Sequence, residues 1–186
     1  ETVIRWAEGE RRYMLKEETI QLRSVTASLE EGKFVVKLKL FNPEDRTLYA
    51  YGSARRIFYD NATGKLTLYL HDQRLSEEEE KLISPHLKQP RFVQLEGGTE
   101  TEVKITLDPV LKRLRPAVER GNGPLFEELR ISEAKEIEVE IAYHDTPFYY
   151  NPKITNVEQL KEWCKVISKG NFKITPLKQE REKRKR

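Results

Sequence analysis

Residues Leu48 to Asp72 read LYAYGSARRIFYDNATGKLTLYLHD, two alternating aromatic-rich runs joined by Asp60-Asn61-Ala62-Thr63-Gly64. Alternation at a period of two around an Asn/Gly turn is the local signature of a β-hairpin. A chain built around such a segment folds largely as β structure. The turn leaves two registers open. In one, Phe58 faces Leu66 and Arg56 faces Leu68; in the other, Tyr59 faces Leu66 and Arg55 joins the leucine row near Leu70. Adjacent strand residues point to opposite faces. Either register therefore puts one of Arg55 and Arg56 on the leucine side. An unpaired buried charge is prohibitive, so that arginine meets a carboxylate or lies where the sheet is uncovered.

Other segments carry the same period. Phe34, Val36, Leu38 and Leu40 alternate with Lys37 and Lys39, and Asn42-Pro43 ends the run because proline cannot donate to a ladder. Val103, Ile105 and Leu107 share a face, as do Ile137, Val139, Ile141 and Tyr143. Helices are fewer. Ser76-Glu77-Glu78-Glu79 is a capping box that predicts a short helix to about Ile83. Asp108-Pro109 opens a second, with Val110, Leu111 and Leu114 as its stripe. A third, amphipathic, is expected over 157–168, lined by Val157, Leu160, Trp163, Cys164 and Ile167. The whole predicts a mostly β chain, an antiparallel β-sandwich of about seven strands with a short middle helix and a C-terminal amphipathic helix. An arm or short helix over 1–19 would precede a sandwich over 20–175, and a basic charged tail over 176–186 would follow it. The run KLKLFNPEDRTLYAYG, Lys37 to Gly52, resembles the strand, Asn-Pro, strand order of late-embryogenesis type 2 sandwiches. No role is transferred from that resemblance.

Composition narrows the function classes. Charged residues make up 35% of the chain, yet the net charge is only +3, which argues against a dedicated nucleic-acid binder. Contact with nucleic acid or an anionic surface is expected only through the tail, which ends Glu-Arg-Glu-Lys-Arg-Lys-Arg. Cys164 has no second cysteine to pair with, so a disulfide-stapled module is excluded and a cytoplasmic location is favoured. The chain begins at Glu1 rather than Met, which leaves room for a removed leader. No apolar run reaches the roughly 18 residues of a spanning helix.

Three groups of residues carry chemistry. His71-Asp72 and His144-Asp145 each follow a strand, and four ligands would converge if both strand ends met at one rim. The plainer reading leaves each histidine exposed and lets each aspartate cap its turn. Tyr49, Tyr51, Arg55, Arg56, Tyr59 and Tyr69 form a second group, an aromatic and cationic sheet face suited to a ligand or partner. Phe148, Tyr149 and Tyr150 form the third, a loop stiffened by Pro147 and Pro152. Cys164 sits on an apolar stripe and reads as a small core residue. Glu136, Glu138 and Glu140 would pair with Lys37 and Lys39 if their strands were neighbours. No catalytic residue, metal or cofactor is assigned. The expected function is a non-catalytic protein-interaction or structural adaptor module, working with another protein chain or as a homo-oligomer. The alternatives are a small-ligand or carbohydrate-binding sandwich using the tyrosine face, and a metal-dependent enzyme at the His-Asp pairs.

Overall fold

The structure is a computed structural model describing residues 20–73, 75, 79–85, 90–149, 156–164 and 166–176. The expected arm, the Ser76 cap, Tyr150 and the charge run from Lys178 lie outside the described residues. The described chain is mostly β. Its strands are β1 (Gln21–Glu30), β2 (Lys33–Phe41), β3 (Leu48–Tyr51), β4 (Arg56–Asp60), β5 (Lys65–Leu70) and β6 (Phe92–Leu95). They continue as β7 (Glu100–Leu107), β8 (Val110–Leu114), β9 (Phe126–Arg130), β10 (Glu136–His144) and β11 (Val166–Lys173). Helices are α1 (Ala117–Arg120) and α2 (Asn156–Trp163), with 3-10 turns at Glu79–Lys81 and Ile131–Glu133.

The first sheet has the order β1-β2-β7, all antiparallel. Phe34, Val36 and Leu38 stand opposite Leu107, Ile105 and Val103, and all six are buried. On the other face the register sets Lys37 against Lys104. Like charges directly opposite repel. Glu30 of β1 relieves this, lying 3.3 Å from Lys37 Nζ and 3.4 Å from Lys104 Nζ. Hydrogen bonding from Lys37, then the Lys104 ammonium, holds its carboxyl below the ordinary range.

The second sheet runs β4-β5-β10-β3-β6, with β11 added on β10. Ile141 lies between Leu70 and Ser168, and Tyr143 lies between Ala50 and Val166. So β5 and β3 follow one another along one edge of β10, and β11 occupies the other. The β5–β10 pairing is parallel, which corrects the all-antiparallel expectation. The chain leaves β5, runs through β6 to β9 and returns, so β10 enters in the same direction. Leu66, Leu68 and Leu70 register with Ile137, Val139 and Ile141, and all six are fully buried. At about 1.5–3 kcal/mol each, these side chains outweigh exposed ion pairs worth about 0–1 kcal/mol each. The apolar rows fix the register, and the charges fit around it.

Those charges are not arranged as the sequence suggests. β2 and β10 belong to different sheets, so Glu136, Glu138 and Glu140 do not meet Lys37 and Lys39. Lys65 of β5 reaches Glu138 at 2.6 Å, and Lys169 of β11 reaches Glu140 at 3.7 Å. The helices also change. Residues 110–114 are strand, not helix, because Leu111 and Leu129 pair across β8 and β9. α2 stops at Trp163, since Val166 to Ser168 are taken up by the open edge of β10. Near the expected middle helix there is one 3-10 turn, after which Ile83 bridges to Ile57. Buried side chains from the two larger sheets, α2 and Leu129 of β9 form one apolar cluster. The third sheet is the two-stranded β8–β9 ribbon. No described helix is long and apolar enough to cross a membrane.

Candidate functional site

The β4–β5 hairpin adopts the register with Tyr59 opposite Leu66 and Ile57 opposite Leu68. Arg55 is therefore the arginine on the leucine side. Asp72, just past β5, meets it: Arg55 Nε donates to Oδ1 and Oδ2 at 3.2 Å each. The Tyr51 hydroxyl donates to Asp72 Oδ2 at 2.6 Å and accepts from Cys164 Sγ at 3.2 Å. Burial, then the Cys164 thiol and the Asp72 carboxylate, push the Tyr51 hydroxyl far above its ordinary range. Burial likewise raises the Cys164 thiol. This is a packed polar core: its hydroxyl and thiol stay protonated and spend their donors internally.

Arg56 lies on the opposite face, its guanidinium 5.8 Å from the Tyr69 ring. One of its Nη groups donates to the carbonyls of His71 at 3.1 Å and Gln73 at 2.6 Å. Gln73 N–H donates to His71 Nδ1 at 3.1 Å, which leaves the His71 proton on Nε2, 3.5 Å from Glu140 Oε1. His71 is buried, not exposed at a strand end as its alternation implies. The tyrosine face is thus not an open surface. Tyr51 and Tyr59 are buried, Tyr49 and Tyr69 are half-buried, and Arg55 and Arg56 are engaged by Asp72 and by backbone carbonyls.

The His-Asp pairs have separate partners. Asp145 takes Arg46 at 3.1 Å, while His144 Nδ1 accepts the Thr146 N–H at 3.0 Å and its ring stacks on Trp163. Among the described residues, no three His, Cys, Asp or Glu side chains group around one point. Phe148 packs inward, stacked on Phe92 at 5.3 Å, and Trp163 Nε1 donates to the Thr146 carbonyl at 3.0 Å. Tyr149 of the same loop is exposed, and Tyr150 is outside the described residues.

The exposed chemistry lies on the β8–β9 ribbon. Leu114 and Phe126 face each other across its far end at 44% and 56% exposure, followed by Val118 at 88% and Leu125 at 51%. Tyr149 is the one other large hydrophobic exposed among the described residues. The turn between the strands is held by arginines. Arg115 donates from Nη1 to the Pro124 carbonyl at 3.1 Å and from Nη2 to the Glu119 carbonyl at 2.5 Å. Arg120 Nε returns to the Arg115 carbonyl at 2.7 Å. A side chain at Gly123 would push the Arg115 guanidinium aside. Between the ribbon and residues 80–84 lies a cleft of about 470 Å³. Leu82, Ile83 and Pro116 give it apolar walls, and Lys112, Arg113, Arg115 and Arg120 give it cations. Arg113 is neutralised by Glu127, its Nε lying 2.7 Å from Oε1.

The sequence hides this site. Asp108-Pro109 and the Val110, Leu111, Leu114 spacing suggest a helix, and Gly121-Asn122-Gly123 suggests only a loop. Period-two alternation does not mark the ribbon, because Phe126 and Leu129, like Leu111 and Leu114, are three residues apart and fall on opposite faces; the available signal was the opposite charge of Arg113 and Glu127 on either side of the turn. No family model, curated protein or solved structure matches the chain.

Proposed function

We propose that this chain is a non-catalytic protein-interaction module. In this reading one β-sandwich domain spans 20–175, and the β8–β9 ribbon is its contact surface. The observation that carries it is the run of exposed apolar side chains along the end of the ribbon and the connection between its strands. Leu114 and Phe126 end the paired strands, and Val118 and Leu125 lie in the connection between them, while the hairpin tyrosines are buried or half-buried. A cluster of exposed large hydrophobics costs solubility and commonly marks a docking surface. Among the described residues β8 and β9 pair only with each other, so each retains an outer edge of the kind that accepts a partner strand.

The test is site-specific crosslinking of the full chain in its native extract. A photo-reactive phenylalanine analogue at Phe126 is expected to give one defined adduct, with no such adduct from Glu102 on the outward face of β7. Equal labelling from both positions, or none from Phe126, would defeat the proposal. In the chain carrying the analogue at position 126, Leu114→Glu with Leu125→Glu should abolish the adduct and leave the unfolding midpoint almost unchanged, since both side chains are exposed.

A further inference from the structure

We infer that the cleft beside the ribbon takes an acidic peptide segment bearing a large apolar anchor. This rests on the interaction reading and names the chemistry of the partner. Its first support is charge. Among the described residues, Lys112, Arg115 and Arg120 line the cleft without a carboxylate partner, and Glu80 is the acid facing them. Of the nearby acids, Glu119 and Glu127 are taken by Lys81 at 3.6 Å and by Arg113, and exposed Glu128 stands opposite Lys112 in the ribbon register.

The second support is preorganisation. Arg115 and Arg120 are held by carbonyls, which fix the side chains and leave their charge unspent. Among the described residues Arg120 is anchored through Nε alone, so both terminal nitrogens keep their donors in a planar fork. Such a fork suits a carboxylate, and prior ordering lowers the entropy lost on binding. Arg115 retains donors beyond the two it spends on the turn.

The third support is shape. A concave slot of about 470 Å³ falls in the range that accepts a side chain or a short segment. Leu82, Ile83 and Pro116 form an apolar wall, and the slot opens beside Leu114, itself paired with exposed Phe126. A flat anionic bilayer would meet only the rim. A phosphodiester chain would run past Glu80 and the exposed Glu128, whereas discrete carboxylates can alternate around them.

Fluorescence anisotropy on the full chain tests this with a labelled peptide Glu-Glu-Leu-Phe-Glu-Glu. Controls replace its glutamates by lysine or its Leu-Phe by Ala-Ala, and phosphatidylserine vesicles are a separate arm. The acidic peptide is expected to bind, to weaken at raised ionic strength, and to lose about tenfold in affinity in Arg120→Gln. Lys112→Gln, at an exposed side chain outside the turn clamp, should weaken binding without altering the unfolding midpoint. The Ala-Ala peptide should bind more weakly than its parent. Equal binding of the lysine peptide, or no loss in either variant, overturns acidic recognition but leaves ribbon docking standing if Phe126 still crosslinks. Vesicle binding without peptide binding overturns it in favour of lipid. Absence of both peptide binding and the Phe126 adduct removes this inference and the interaction reading together.

Discussion

Replacing Asp72 by alanine should be among the most damaging single changes in the hairpin region. Asp72 is the acceptor shared by Arg55 and Tyr51, and the Arg55 and Asp72 side chains are only 14% and 18% exposed. Its removal leaves a largely buried guanidinium without its carboxylate and a buried hydroxyl without its acceptor. Breaking one side of a buried pair costs about 3–5 kcal/mol. Arg55 has a further interaction and some exposure, so the loss should sit near the low end, about 3 kcal/mol. For a chain of this size that lowers Tm by roughly 6–12 °C. Tyr51→Phe keeps the Arg55–Asp72 pair and should cost only about 1 kcal/mol. The double change Arg55→Met with Asp72→Leu should cost less than Asp72→Ala alone, because no charge is left stranded. Urea unfolding of the four proteins orders them. If Asp72→Ala shifts stability by less than about 0.5 kcal/mol, like an ordinary surface change, the pair is not acting as a buried one and the argument fails.

Three further outcomes are expected. Cys164, buried and with its thiol pushed up by burial, should resist a disulfide reagent in the native chain and react fully in urea; rapid native labelling would contradict its packing. Glu140 is held below its usual 4.5, chiefly by His71 and then by Lys169, against opposing desolvation, so its stabilisation is present above that value and lost as pH falls through the lower folded value. Glu140→Gln should therefore flatten the acid limb of stability measured by urea midpoints from pH 6 to pH 3, and an unchanged slope would reject the assignment. Gly97→Ala should destabilise by about 1–3 kcal/mol, because a Cβ there would press on backbone atoms of Glu44, Asp45 and Arg46; a neutral result by thermal unfolding would show that this loop yields.

The legible part of the fold is what side-chain alternation records locally. Leu66, Leu68 and Leu70 and the Phe34 to Leu40 row could be placed because each strand states its own buried face. The requirement that one adjacent arginine find a carboxylate was also written in the hairpin, and Asp72 lies near enough in sequence to supply it. The neighbours of β10 were not legible, because alternation does not say which strand lies alongside or in what direction. That is why Glu140 faces Lys169 and His71 rather than Lys37 or Lys39. His71 was misread for a related reason: its strand position is outward, but Arg56, Gln73 and Glu140 close over it. The ribbon was missed because proline and three apolar residues fit the first turn of a helix as well as they fit a strand.

The place of β10 in the second sheet bears on how the chain is made. Synthesis from the N-terminus completes the β4–β5 hairpin and the β3–β6 pair early. β5 and β3 must then wait with open edges until Glu136 to His144 emerge, because β10 is the strand that joins them. Non-local pairing of this kind is slow to form, and unpaired strand edges on a nascent chain are sticky. The last third of the chain is therefore the keystone of assembly, and a ribosome that stalls before His144 leaves two half-sheets with nothing to close them.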